Sequence, residues 1–238
     1  LETRELIKYS PEMFFTSRLG VKYNPDAECP AIEEFLLKVV DRKDIELLKE
    51  IPAYCLWRSY PIQKAFMFIG DGSNGKSTYL STLGAYLGHD NVSAVSLQDL
   101  ADNRFASSNL YRKYANIFAD LQSTPLRNPG TFKMLTGGDL ICGERKFKDQ
   151  FFFLNHAKLL YSANSVPYVQ DESDAYYRRW VMIPFPNKFS EAEADKALLG
   201  KLTTEEELSG LLNIALARIR KILKNGFSYT QDTDEIRE

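Results

Sequence analysis

Short apolar runs and helical stripes alternate along the chain. Five runs of five or six residues stand at 65–69, 92–96, 114–119, 158–163 and 180–185. Their length and aromatic, β-branched content predict buried strands. A weaker pair, 140–146 and 150–154, predicts a hairpin between the third and fourth. Ile32, Phe35, Leu36 and Val39 recur at helical spacing after Pro30 and predict a helix from Ala31 to Val40. Asp44 predicts a cap for a second helix with Ile45, Leu47, Leu48 and Ile51, ending near Pro52. Tyr79, Leu80, Leu83 and Leu87 predict a helix over 76–87 that stops at Gly88. Residues 191–226 are helical in pattern: Thr204 and Glu207 have capping-box spacing, and Leu208, Leu211, Leu212, Ala215, Leu216, Ile219, Ile222 and Leu223 share a face. Over 64–190 the alternation is that of an α/β fold with a mostly parallel sheet covered by helices. The chain divides into a small helical region at 1–55, an α/β core at 56–190 and a helical segment at 191–238.

Bulk composition narrows the chemistry. With 238 residues, 44% hydrophobic and 13% aromatic, the chain can bury a sizeable core. A net charge of −2 excludes a globally basic coat, so any nucleic-acid contact must be local. Cys29, Cys55 and Cys142 are odd in number and far apart, and with His89 and His156 they show no metal-ligand spacing. No apolar run approaches membrane-spanning length and no signal peptide opens the chain. The expectation is a cytoplasmic, intracellular protein with no membrane partner. The missing initial methionine and the polar tail 231–238 predict a fragment of a longer polypeptide.

One stretch carries most of the chemistry. Gly70-Asp71-Gly72-Ser73-Asn74-Gly75-Lys76-Ser77 fits G-x-x-x-x-G-K-[ST], and Thr78 follows. It lies between an expected strand and an expected helix, the context a phosphate-binding loop requires. Glycines let successive N–H groups converge on one anion, and the helix N-terminus adds partial positive charge there. Lys76 reaches β- and γ-phosphates in such a loop, and Ser77 ligates Mg²⁺.

Four further positions can join that chemistry. Asp120 ends the third strand and suits a metal carboxylate. Asn164 ends the fourth, either as a water-orienting amide or as a turn residue before Pro167. Arg178 and Arg179 precede the fifth strand, either as a γ-phosphate contact or as a surface ion pair. Arg145, Lys146 and Lys148 cluster around Phe147 at the hairpin tip, diluted by Glu144 and Asp149. They form either a nucleic-acid contact or a plain charged turn. Arg218, Arg220, Lys221 and Lys224 read as a solvated face near a helix C-terminus.

Taken in order, these blocks resemble superfamily 3 helicases, in particular those of viral and plasmid primase–helicases. The loop Gly70–Thr78 is similar to that family's. Lys133-Met134-Leu135-Thr136-Gly137-Gly138-Asp139 resembles its K-x-L-T-G-G-D block. Phe151-Phe152-Phe153 with Asn164 and Pro167 resembles the sensor block, and Arg178-Arg179-Trp180 the arginine-finger segment. Upstream, Phe15–Leu19, Tyr23–Ala27 and Cys29-Pro30 resemble the small domain before poxvirus-type and plasmid helicases. The resemblance implies an AAA+ core acting as an ATP-dependent DNA helicase, a homo-oligomeric, hexameric ring moving 3′ to 5′ with a primase on the same full-length chain. It implies ATP between subunits, Mg²⁺ on Ser77 and Asp120, Asn164 as sensor, Arg178 or Arg179 as a finger given to the neighbour, and Arg145, Lys146 and Lys148 on DNA. One departure stands: Leu121 and Gln122 follow Asp120 where the family often has a second acid, leaving the base unassigned. The rivals are a phosphate-loop phosphotransferase and a nucleotide-dependent origin-binding or assembly module.

Overall fold

The computed structural model describes residues 6–8, 10–121, 124, 126, 128–164, 174–192 and 194–229. Its centre is a five-stranded sheet, all neighbours parallel, in the order β2-β3-β6-β1-β7. The strands are β1 (Ala65–Ile69), β2 (Val92–Ser93), β3 (Ala115–Phe118), β6 (Lys158–Ala163) and β7 (Trp180–Pro184). A separate antiparallel hairpin, β4 (Leu140–Gly143) and β5 (Phe151–Leu154), is inserted before β6. The α/β class, the parallel sheet and the inserted hairpin agree with the hydrophobic pattern. Every residue of β6 is buried, as a strand covered on both faces must be.

One core cluster joins β1 to the flanking helices α1 (Pro30–Val39), α2 (Arg42–Cys55) and α3 (Lys76–Leu87) and to the C-terminal α7 (Leu198–Leu202) and α8 (Glu205–Asn225). A second cluster lies on the other sheet face, with Met67, Tyr161 and Trp180 against α4 (Leu97–Asp102), α5 (Gly130–Gly137) and α6 (Asp174–Tyr177). There Phe132 stacks on Trp180 with centroids 4.6 Å apart.

The C-terminal helices begin at Leu198, not near 191 as the pattern predicts. Three further boundaries differ from the sequence expectation by more than a residue, each for a local reason. The second helix begins at Arg42 behind Asp41 and runs through Pro52 to Cys55, so Asp44 is a first-turn residue. Pro52 has no N–H to give Leu48; the Leu48 carbonyl accepts the Tyr79 hydroxyl of α3 instead, at 2.8 Å. Strand β2 ends at Ser93 because the Asn116 amide takes over pairing. It accepts from Val95 N–H and donates to Val95 carbonyl, both at 2.9 Å. The hairpin strands are shorter than expected, with a left-handed Phe147 and a Lys148-to-Arg145 turn bond in the seven-residue tip between them.

The capping box is half formed. Thr204 accepts the Glu207 N–H at 3.3 Å, but the Glu207 carboxylate turns to α1. It accepts the Ala31 and Ile32 N–H groups at 3.0 and 2.9 Å, capping a helix 175 residues upstream. Gly210 permits the approach: a Cβ there would lie 2.3 Å from the Glu28 carbonyl carbon. Arg218 lies against α2 and makes a two-pronged bond to Glu46, at 3.1 and 2.9 Å.

Lys158, fully buried at the start of β6, ties the sheet to the linker after α2. Its amine donates to the Trp57, Ser59 and His156 carbonyls at 2.7, 2.7 and 2.8 Å. It also lies over the Tyr54 and Tyr60 rings, 4.5 and 4.8 Å from their centroids. These partners offset part of the cost of burial, which pushes its pKa down to about 7.

Between about pH 7 and the ordinary lysine value of 10.5 the unfolded chain holds more protons at Lys158 than the folded one, so stability rises with pH. Above 9.0 the buried Cys29 and Cys55 thiols, pushed up to about 12, oppose the rise. Urea midpoints of the wild-type chain should climb between about pH 7 and pH 8.5, while those of Lys158→Met stay level. The variant should also lose about 2–4 kcal/mol at pH 7, through its unpaired carbonyls. Parallel pH profiles for the two chains would contradict this account of Lys158.

Candidate nucleotide site

The loop between β1 and α3 is held from three sides. Both neighbours of β1 grip its exit: Gly70 N–H donates to Ala163 carbonyl at 3.3 Å, and Phe185 N–H to Ile69 carbonyl at 2.7 Å. Farther on, Phe189 N–H donates to Ser73 carbonyl at 2.8 Å. From below, α1 closes on Gly75. A Cβ at Gly75 would stand 2.5 Å from Val39 Cγ1, and its φ of +92° already favours glycine. Gly72 has open space around it.

Asn74 and Lys76 form the interior of the loop. Asn74 is buried; its Nδ2 donates to Phe185 carbonyl at 3.4 Å and its Oδ1 accepts the Lys76 amine at 3.1 Å. The same amine donates to Gly70 carbonyl. Burial lowers the Lys76 pKa, while the Asp71 and Asp120 carboxylates act in the opposite direction. Lys76 and Asp120 therefore share one electrostatic field, although 44 positions separate them in sequence. Ser77 is exposed in the first turn of α3, and Thr78 is half-buried beside it.

Sheet order explains the meeting. Strand β6 lies between β1 and β3, and Ile69 is in register with Ala163. Asn164, the next residue, is exposed at the same sheet edge as Gly70. Asp120 follows β3 at that edge with φ +67°, a conformation aspartate tolerates better than most residues. Leu121 N–H, bonded to Ser162 carbonyl at 2.7 Å, holds the turn. Gln122 and the 165–173 stretch that includes Pro167 lie outside the described residues.

The donor set fits a magnesium ion. A hydroxyl at Ser77 and a carboxylate at Asp120 are hard oxygen ligands, and this ion commonly takes one or two protein oxygens with phosphate and water. No cluster of three or more histidine, cysteine, aspartate or glutamate side chains occurs among the described residues.

Beside the loop opens a cavity of about 580 Å³. Phe35 and Val39 of α1 form one wall, Phe189 and Leu198 another, and Ser73 and Thr78 open it toward the phosphate loop. Two ion pairs flank it, Lys38–Glu34 and Lys201–Asp195, both at 2.6 Å. Sequence reasoning missed these positions. Phe35 and Val39 sit in an ordinary apolar stripe, and no local signal separates a cavity wall from core.

The arginine doublet lies elsewhere. Trp180 pairs with Ala65 and Pro184 with Ile69, so Arg178 and Arg179 stand at the start of the sheet and the phosphate loop at its end. Five residues of strand separate them, roughly 16 Å. The two differ in burial. Arg179 is buried, donates to Ala175 carbonyl, and has its Nε without a partner among the described residues. Burial and Arg178 lower its pKa, and Asp139 opposes them. Arg178 is exposed, and its carbonyl accepts from Lys64. At the hairpin tip Arg145, Lys146 and Lys148 are exposed, and Phe147 is wholly exposed. Glu144 pairs with Arg104 at 3.3 Å.

A parallel sheet with a glycine loop between β1, an interior strand, and a helix defines the class: an α/β fold with a phosphate-loop-like core. Comparison with known proteins narrows it. A family described as "Family of unknown function (DUF5906)" matches residues 68–179. A protein of Acanthamoeba polyphaga mimivirus, named "Putative helicase L207/L206", is 27% identical over 236 residues, covering 87% of this chain and 24% of that protein. The chain thus spans about a quarter of the length of that relative. Among solved structures, the A-form apo structure of the NrS-1 C-terminal region aligns with TM-score 0.66 at 18% identity, over 91% of this chain and 55% of the other. The A-form apo structure of residues 305–718 of that region gives 0.65 at 17%, over 94% and 51%. At such identities the shared feature is the fold.

The two loop glycines should respond differently to a methyl group. Gly75→Ala should lose about 1–3 kcal/mol of stability in urea unfolding, from left-handed strain and contact with Val39. Gly72→Ala should stay within about 0.5 kcal/mol of wild type. Equal effects would contradict the packing of α1 against the loop.

Proposed function

We propose that this chain is the motor part of an ATP-dependent DNA helicase of the superfamily 3 kind. It works as a ring, six copies in the simplest case, moving 3′ to 5′ in virus or plasmid replication. A primase on the same longer chain and an intracellular site of action belong to the same reading. The relative named as a helicase and the order of sequence blocks support it. The observation that carries it is a separation: the phosphate loop and the exposed Arg178 stand at opposite ends of β1 and β7.

In this reading the triphosphate lies along Gly70–Thr78, with Lys76 on the β- and γ-phosphates. The base fills the cavity between Phe35, Val39 and Phe189, whose apolar walls suit a planar ring. A magnesium ion held by Ser77 and Asp120 would neutralise phosphate charge. Asn164 orients a water for in-line attack on the γ-phosphorus; the bond to the β–γ bridging oxygen breaks as the new P–O bond forms. An amide positions water without titrating, so the proton leaves through water or phosphate.

Developing negative charge needs a further cation. Arg178 cannot reach its own loop across the sheet, so it serves the neighbouring copy's nucleotide. Such a contact speeds turnover ~10³–10⁵-fold, about 4–7 kcal/mol of barrier. Arg179 stays in its own subunit and holds the turn before β7. The hairpin, with Arg145, Lys146 and Lys148 around Phe147, contacts one DNA strand. Hydrolysis that loosens a subunit seam shifts this tip along the strand. Opening one base-pair step costs ~1.4 kcal/mol, a small load per ATP.

Lys76→Ala should abolish ATP hydrolysis, and Arg178→Ala should lower it by ~10³-fold or more. Mixing the two inactive chains should restore turnover, because one kind of seam then pairs an intact Lys76 with an intact Arg178. No recovery at any mixing ratio would overturn the shared site, and full activity of Lys76→Ala would overturn the nucleotide assignment.

A further inference from the structure

A second cavity, about 450 Å³, opens where three separate segments meet: 16–20, 88–91 and 111–113. The segments contribute Arg18, His89, Arg112 and Lys113, against a single carboxylate, Asp90. Each junction is fixed. Asn91 donates to the Arg18 carbonyl at 2.6 Å and to the Leu87 carbonyl at 2.7 Å. Ser17 and Tyr114 hydroxyls are bonded at 3.0 Å, and Lys113 donates to the Asp90 carbonyl. Arg112 is held at φ +63°, an uncommon conformation for a long side chain outside a glycine position. Strain of this kind concentrates at working sites.

The cavity does not stand alone. Its wall includes Tyr111, over whose ring the Arg112 guanidinium lies at 5.0 Å. Tyr111 meets Phe151 edge-on at 5.0 Å, and the Arg145 guanidinium lies over Phe151 at 5.2 Å. Cation, ring, ring and cation therefore run without a break from the hairpin to the cavity. In a chain of net charge −2 the track and its cavity gather Arg145, Arg112, Arg18 and Lys113, against Glu144 and Asp149 at the tip and Asp90 in the cavity. Two rings between two guanidinium groups offer the aromatic and cationic contacts that bind the bases and phosphates of a single strand.

We propose that single-stranded DNA leaving the hairpin tip crosses Phe151 and Tyr111 and enters this basic cavity, where Arg18 and Arg112 bind its phosphates. The path rests on the reading of the chain as acting on DNA, and adds a second anchoring point that the hairpin alone does not supply.

The test is binding of a fluorescein-labelled oligothymidylate of about thirty nucleotides, followed by anisotropy across a salt series. Single-strand binding weakens with salt at a slope of about −0.7 per phosphate contact. The double variant Arg18→Gln/Arg112→Asn should lose about 1.4 from that slope and bind about tenfold more weakly at low salt. Asparagine is chosen at 112 because it tolerates positive φ. Arg145→Gln should shift the slope as well, and Arg112→Lys, which keeps the charge, should retain it. If only Arg145→Gln changes the slope, the cavity is not on the path, and the DNA reading stands without it. If Arg112→Lys loses as much of the slope as a single Arg112→Asn variant measured beside it, charge is not the cause and the path is rejected. If the wild-type chain does not bind the oligomer at all, the path and the DNA reading both fall.

Discussion

Parallel pairing on both sides of β1 is the constraint from which the rest follows. Parallel strands all start at one edge of the sheet and all end at the other. Ile69 meets Ala163 on one side and Pro184 on the other, so the loop after β1, Asn164 after β6 and Asp120 after β3 share an edge. The residues before β6 and β7 share the opposite edge, and there stand the hairpin and Arg178. The glycine-rich turn and the exposed Arg178 are thus held apart by the length of a strand, which no side-chain rearrangement can shorten. On the proposed reading, Arg178 meets a nucleotide only on a neighbouring copy.

The helices outside the sheet support the loop as well as each other. Tyr79, one turn into α3, bonds the Leu48 carbonyl that Pro52 leaves free. Val39 of α1 lies against Gly75, and Glu207 of α8 caps α1. A path of contacts thus leads from α8 through α1 to the loop backbone. The cavity beside the loop has walls from α1 and from the segment leading to α7, so a ligand there touches both flanking regions as well as the core. A base held in it would tie those regions together.

Much of the fold was legible because buried parallel strands write themselves as short apolar runs. Such runs mark the strand starts at 65, 92, 158 and 180 to the residue. What escaped depends on groups distant in sequence. Pro52 looks like a helix stop until a tyrosine from another helix satisfies Leu48. Glu207 looks like half of a capping box until α1 offers a better pair of N–H groups. Val95 looks like strand until the Asn116 side chain replaces its partner. In the candidate site the glycine loop, its strand and its helix were readable from spacing. The cavity walls were not, since Phe35, Val39 and Phe189 carry no mark beyond hydrophobicity. The arginine doublet was visible as a pair, but only burial distinguishes the packed Arg179 from the exposed Arg178.

The claim at the centre is that the nucleotide site is completed between copies. The most direct measurement is ATP turnover per chain as the protein is diluted, with mass in solution followed alongside. The account predicts that turnover per chain falls as assemblies dissociate and returns when single-stranded DNA holds the copies together. Full turnover by a lone protomer, constant on dilution and unchanged by DNA, would contradict it.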